Sequence, residues 1–173
     1  AYEIRLGMII KDEFESKGVS LVPTPVGHSL EKQIMLDHDA VFGGEISGHY
    51  FFKFPFGTFE APSLLVIKLL EYLTKKKKPL SEIVAPLNRY FSSGEINTKV
   101  ESREVIEQKI SEIKTKYSDG NQILLDGVKV EYSDFWFSLR ASNTEPVMRL
   151  IVEARSSELL ETKRDELMTL LKQ

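Results

Sequence analysis

Three short segments gather the side chains able to do chemistry. The first, Gly43-Gly44-Glu45-Ile46-Ser47-Gly48-His49, follows the apolar run Ala40-Val41-Phe42. Its glycines let the backbone turn sharply and let a ligand approach closely. Glu45, Ser47 and His49 alternate, so an extended loop would aim all three to one side. A carboxylate accepts two hydroxyl hydrogen bonds, a serine donates or accepts, and an imidazole adds a proton donor or a positive charge. That trio suits the vicinal hydroxyls of a sugar. The same residues also fit a hairpin loop with incidental polar side chains.

The second segment, Thr24-Pro25-Val26-Gly27-His28-Ser29, reads as a turn from strand to helix. Ser29 is expected to cap that helix, with His28 facing the same cleft as the first loop. A helix N-terminus attracts anions, so a phosphate has a place there, although capping alone accounts for these residues. The third segment, Arg140-Ala141-Ser142-Asn143-Thr144-Glu145-Pro146, is followed by Arg149. Arginine with consecutive hydroxyl and amide side chains makes an anion-binding loop, and the planar guanidinium matches phosphate better than lysine does. A polar hairpin turn with a surface ion pair is the plainer alternative.

In this order the three segments resemble the C-terminal part of the α-D-phosphohexomutases, the phosphomannomutase/phosphoglucomutase family. Gly44-Glu45-Ile46-Ser47-Gly48-His49 is similar to that family's sugar-binding loop, and Arg140-Ala141-Ser142-Asn143-Thr144-Glu145-Pro146 to its phosphate-binding loop. Gly27-His28-Ser29 and Arg89-Tyr90-Phe91-Ser92-Ser93-Gly94-Glu95 match as well, so the likeness covers essentially the whole chain. It implies most of the third family domain at residues 1–86, a linker at 87–97 and the fourth domain at 98–173. The family moves a phosphoryl group between O1 and O6 of a hexose phosphate through a phosphoserine and a bisphosphorylated sugar. By resemblance, Glu45 and Ser47 hold sugar hydroxyls, and Arg140, Ser142, Asn143 and Thr144 clamp the phosphate that is not reacting. Arg149 supports that clamp. His28 and His49 are candidates for touching phosphate or moving a proton.

The family's nucleophile sits in Ser-His-Asn-Pro and its magnesium in Asp-Gly-Asp-Gly-Asp-Arg; neither string occurs here. The expectation is therefore a portion that is inactive alone and binds no metal itself. Its partners are a hexose phosphate and the missing N-terminal domains, with Mg2+ serving the intact enzyme. Asn143, where some relatives carry Gly, fits a mannose/glucose mutase better than a glucosamine one. A second departure is Phe56-Gly57-Thr58-Phe59-Glu60-Ala61-Pro62, where the family commonly has Asp-Asp-Gly. The rival readings are a stand-alone phosphosugar-binding or regulatory module and an interaction module built on the C-terminal sheet.

The elements that must position these loops fall into two textures. In the first half, a strand ends at Tyr2–Arg5 and a helix covers 7–16. An apolar strand covers 19–22 and is closed by Pro23, a short helix covers 30–36, and a buried strand covers 40–42. Pro62 opens a helix over 61–73 whose apolar residues leave little polar surface, so it should be enclosed. Strand–helix alternation predicts an α/β layer with a mixed, mostly parallel sheet. In the second half Ile106, Ile110, Ile113 and Tyr117 share one helical face from about Ser102. Asp126-Gly127 predicts a hairpin. Strands follow at 135–139 and 147–152, and Ser156 or Ser157 caps a last helix facing inward through Leu160, Leu167 and Leu171. This is a small α+β domain with an antiparallel sheet and flanking helices.

The 173 residues carry 23 basic and 26 acidic side chains, net −3, with 42% hydrophobic and 28% charged. That composition excludes a mainly disordered chain, and neither half has the basic excess of a nucleic-acid binder. The absence of cysteine excludes disulfides, a thiolate nucleophile and cysteine-based zinc. It fits a reducing compartment and a hot environment alike, and a cytoplasmic location is expected. Lys75–Lys78 read as a solvated helix end, with Pro79 and Pro86 discouraging further helix. The six aromatics in 50–59 read as core or domain-contact packing rather than a ligand platform.

Overall fold

The structure, a computed structural model, describes residues 1–142 and 145–172. The chain divides into two units, Ala1–Arg89 and Tyr90–Gln173. The first contains β1 (Tyr2–Glu3), α1 (Met8–Phe14), β2 (Pro23–Thr24), α2 (His28–Asp37), β3 (Phe42–Gly44), β4 (Tyr50–Phe54), β5 (Gly57–Glu60), α3 (Pro62–Lys76) and α4 (Leu80–Val84). Its mixed sheet has the order β2-β1-β3-β4-β5. β1 runs parallel to β2 and β3, whereas β3–β4 and β4–β5 are antiparallel.

Several local expectations shift for identifiable reasons. The second strand forms at Pro23–Thr24 rather than over 19–22, with the Tyr2 and Ile4 N–H groups donating to the Val22 and Thr24 carbonyls at 2.9 Å. Because β2 is an edge strand, the N–H that Pro23 lacks is not missed by the ladder. The third strand slides to Phe42–Gly44 and leaves Val41 73% exposed. Its buried positions are the glycines, and α2 passes over Gly43, where a Cβ would sit 2.6 Å from Met35 Sδ.

The helix expected to be enclosed is not. α3 has no buried residue, and Ile67 is 61% exposed. Apolar side chains wrap most of its circumference, and its main packing partner, β4, can cover one face only. It runs to Lys76, three residues past the expected end at 73, and is closed by Lys77 in the left-handed region, φ 52°. Lys75 and Lys78 there pair with Glu71 and Glu82, as a solvated helix end requires. Pro79 and Pro86 do not stop helix formation. Pro79 stands at the N-cap of α4 and Pro86 in the following 3-10 turn, Ala85–Leu87, where a missing N–H costs no intrahelical bond. Of the six aromatics only Phe51 is buried. The others pack ring on ring, Phe54 on Phe56 at 5.4 Å and Phe56 on Phe59 at 5.7 Å, with Phe56 77% exposed.

The second unit contains β6 (Phe91–Ser92), β7 (Ile96–Lys99), α5 (Arg103–Lys116), β8 (Asn121–Ile123), β9 (Val128–Glu131), β10 (Phe135–Ala141), β11 (Val147–Ala154) and α6 (Ser157–Lys172). The sheet is antiparallel throughout, in the order β6-β11-β10-β9-β8, with β7 also on β11. Ser102 has the extended backbone of an N-cap before α5. Ser156 Oγ accepts from the Leu159 N–H at 3.2 Å, which opens α6. Ile106 and Ile113 of α5 and Leu160, Leu167 and Leu171 of α6 bury against Phe135, Phe137 and Leu139 of β10. Strand alternation then turns Trp136, Ser138 and Arg140 to the opposite face. Gly127 has φ 72°, and a Cβ there would collide with the Leu139 carbonyl oxygen, so the β8–β9 turn needs glycine for conformation and for space.

Candidate functional site

In the first unit the chemistry is built on the β3–β4 connection, and this loop is a tight turn rather than an extended one. The Glu45 N–H donates to the His49 carbonyl at 3.0 Å and the Gly48 N–H to the Glu45 carbonyl at 3.1 Å, with Gly48 at φ 90°. The turn is anchored from β1. Glu3, fully buried and gripped by the Arg5 guanidinium, accepts the Ile46 N–H at 3.2 Å. Within the turn Ser47 Oγ donates to Glu45 Oε2 at 2.7 Å. Glu45 is 5% exposed, and its Oε1 is buried with no hydrogen-bond donor. The hydroxyl and the carboxylate are thus preorganised on one another.

His28 is the first residue of α2, and the cap position belongs to Gly27 at φ 145°. Ser29 therefore lies inside the first turn and does not cap the helix, contrary to the sequence reading. Glycine reaches this backbone conformation without penalty, and no side chain caps the helix. His28 meets the turn through Glu60 at the end of β5. Its Nε2 lies 2.8 Å from Glu60 Oε2, and His49 Nδ1 lies 2.8 Å from Glu60 Oε1. The two imidazoles stand edge to face at 5.0 Å. Hydrogen bonding by Glu60 holds His49 above the usual imidazole range, with the charges of Glu60, Glu45 and Glu31 adding to it. The two histidines in turn hold Glu60 below the usual carboxylate range. Glu60 was absent from the expected site. Nothing local marks it, since its partners lie 32 and 11 residues upstream.

In the second unit Arg140 lies one residue before the end of β10 and Arg149 stands directly opposite it on β11. Arg140 pairs with Glu95 and with Asp126, each at 3.6 Å. Arg149 reaches Glu95 at 3.1 Å and Ser142 Oγ at 3.3 Å. Ser142 is itself buried, and its N–H donates to the Val147 carbonyl at 2.8 Å. Arg140, Ser142 and Arg149 thus come together as two guanidiniums and a hydroxyl on one rim of the sheet. Asn143 and Thr144 lie outside the described residues. Glu95 and Asp126 are additions: one sits in the polar stretch before β7, the other in the hairpin whose glycine was legible.

Magnesium takes oxygen ligands in a near-octahedral arrangement. Among the described residues the one cluster of three candidate ligand side chains is His28, His49 and Glu60. Two imidazole nitrogens are foreign to that ion, and the carboxylate is already committed to both rings. These residues do not fit magnesium. No helix among the described residues is long and apolar enough to cross a membrane.

Comparison with known proteins adds to this geometry. Residues 1–90 match "Phosphoglucomutase/phosphomannomutase, alpha/beta/alpha domain III", and residues 95–170 match "Phosphoglucomutase/phosphomannomutase, C-terminal domain". The chain belongs to the phosphoglucomutase/phosphomannomutase family. A phosphomannomutase of Methanocaldococcus jannaschii is 36% identical over 170 residues, covering 98% of this chain and 37% of the relative. One of Escherichia coli is 33% identical over 175 residues, covering 99% and 38%. A solved phosphoglucomutase/phosphomannomutase family protein of Burkholderia thailandensis superimposes with a TM-score of 0.83 at 31% identity, over 99% of this chain and 36% of that one. The chain thus spans a little over a third of the length of the relatives it matches. The mixed sheet with helices followed by an antiparallel sheet with flanking helices is the arrangement expected of this family's third and fourth domains.

Proposed function

We propose that this chain serves a phosphohexomutase that interconverts hexose 1-phosphate and hexose 6-phosphate. It would contribute the hydroxyl-binding turn and the phosphate clamp, and no catalysis when alone. The observation that carries the reading is the cross-strand pair Arg140 and Arg149 beside Ser142. Like charges placed directly opposite on a sheet are unfavourable, and a bound phosphate dianion reverses that sign by accepting from both forks. Glu45 and Ser47 supply the complementary chemistry: a buried carboxylate with one oxygen fixed by a hydroxyl is a rigid acceptor for sugar hydroxyls.

Asn143 and Thr144 join the clamp through their amide and hydroxyl groups under this reading. In the return half-reaction the freed serine hydroxyl attacks the sugar's other phosphate, and the departing sugar oxygen regains a proton. In the first, a sugar hydroxyl attacks the phosphoserine phosphorus and must lose its proton. His49, or His28 through the shared carboxylate of Glu60, is placed to take it, because an imidazole whose partner is an anion holds an added proton well. The attacked phosphorus leaves a serine of the complete protein, and the return transfer restores that phosphoserine. Magnesium would supply charge neutralisation from a loop outside this sequence. Asn143 favours mannose or glucose phosphates over a glucosamine phosphate, and the enzyme's expected location is the cytoplasm.

The test is direct. A complete protein carrying this chain, given mannose 1-phosphate or glucose 1-phosphate with a hexose bisphosphate activator, should form the 6-phosphate. Arg140→Ala should weaken substrate binding roughly ten- to a hundredfold, the loss of a charge-assisted contact. Binding without turnover in the complete protein would favour the stand-alone module, and unchanged kinetics in Arg140→Ala would remove that residue from the clamp.

A further inference from the structure

Glu31 lies in the first turn of α2, one turn on from His28, and it is fully buried. Neither of its carboxyl oxygens meets a hydrogen-bond donor. An ionised carboxylate in that position would carry a cost of desolvation that no hydrogen bond offsets. The imidazole whose charge acts on Glu31, His49, is hydrogen-bonded to Glu60 and not to Glu31. Glu60 on β5 is occupied by two imidazoles. β3 presents only the glycine backbone at Gly43, and a Cβ there would come within 2.7 Å of Glu31 Oε1. Thr24 on β2 is uncharged, and Glu3 on β1 holds the one nearby guanidinium, Arg5. The Ala1 ammonium, the Glu45 and Glu3 carboxyls and the His49 imidazole are charged groups that act on Glu31.

Glu45 has the matching deficit. Its Oε2 accepts from Ser47, and its Oε1 is buried without a donor. Two carboxyl groups that interact in a dry site, each with an orphaned oxygen, are both satisfied by one proton between them. We infer that Glu31 is a positioning residue, held as a neutral carboxylic acid that donates its O–H to Glu45 and so fixes Glu45 as the ionised acceptor of the hydroxyl-binding turn. Burial, reinforced by the charges of Glu45 and Glu3, pushes the Glu31 carboxyl up to about 7. Gly43 leaves the space that the Glu31 carboxyl occupies: a Cβ there would lie 2.7 Å from Glu31 Oε1. The sugar-binding role of Glu45 rests on the function proposed above; the shared proton does not.

The test separates the two. In the 173-residue chain with glutamate 13Cδ labels, followed by NMR from pH 4 to pH 9, one carboxyl should titrate at least two units above the ordinary glutamates. That signal should vanish in Glu31→Gln, and the Glu45 signal should lose the component that follows the same midpoint. Glutamine donates N–H at every pH, so Glu31→Gln should keep hexose 6-phosphate binding within about twofold of wild type and flatten its decline above neutrality. Glu31→Met removes the donor and should weaken that binding about tenfold at neutral pH. The inference is overturned if every glutamate titrates in the ordinary range, or if Glu31→Met binds with the wild-type affinity and pH profile. If no version binds any hexose phosphate, the mutase reading fails, while the NMR titration still decides the state of Glu31.

Discussion

Arg140 and Arg149 stand opposite one another across the β10–β11 ladder and share a single carboxylate, Glu95, at 3.6 Å and 3.1 Å. Two guanidiniums at this spacing repel, and Glu95 with Asp126 offsets that repulsion while no anion is bound. The acids therefore stabilise the fold and, under the proposed function, would compete with a phosphate for the same donors.

From this competition a first prediction follows. Glu95→Gln keeps the shape and removes one negative charge from between the arginines. The chain should lose stability by about 1 kcal/mol, the scale of a partly exposed pair, while inorganic phosphate binds more tightly. Thermal denaturation with and without phosphate reads both effects. A variant whose melting temperature rises less with phosphate than the wild type's would contradict the proposed competition.

The His28–Glu60–His49 bridge makes a second prediction, on pH. His49 is raised above its ordinary 6.5, so the stability it contributes is fully present below that value and is lost as pH rises through its folded-state midpoint. Glu60 is depressed below its ordinary 4.5, so its contribution is present above that value and is lost as pH falls through its folded-state midpoint. The bridge is thus strongest between pH 4.5 and 6.5. Replacing Glu60 with Gln should bring the His49 midpoint, followed through its imidazole proton signals, down towards the ordinary value. A midpoint that stays put would mean the shift has another origin.

What the sequence disclosed follows a physical division. Residues that act with near neighbours were legible: Glu45 with Ser47, the Asp126-Gly127 turn, and the inward leucines of α6. Those that act with distant partners were not. Glu60 reads locally as an irregular loop, Glu95 as part of a polar connector, and Glu31 as a charge on a short helix. Each acquires its role only when strand order brings another segment to it, as β3 brings Glu45 and Gly43 to α2. The same limit explains Ile67 on α3. Hydrophobicity tells how much surface a helix would bury, and only packing tells how much is covered.

A third prediction concerns Gly43, whose φ is ordinary and whose requirement is space alone. The added methyl of Gly43→Ala would lie 2.6 Å from Met35 Sδ and 2.7 Å from Glu31 Oε1. Overpacking of this kind costs about 1–3 kcal/mol. Chemical denaturation should show that loss, and Met35→Ala in the same chain should recover part of it by vacating the thioether. If the two changes simply add, the contact between them is not the cause.

The last prediction turns on Glu31 and the direction of its pH dependence. Its ordinary value is 4.5 and its folded value about 7, so the folded chain binds more protons than the unfolded chain between these limits. Stability relative to a variant without the carboxyl is therefore fully present below pH 4.5 and is lost as pH rises through 7. Two and a half units correspond to about 3 kcal/mol at full expression. Glu31→Gln lacks the ionisation, so its stability measured against wild type should improve by about that amount between pH 4 and pH 8. Urea unfolding at several pH values measures the difference directly. A constant difference across the range would show that Glu31 ionises in the folded chain as freely as in the unfolded one, and the shared proton would have to be abandoned.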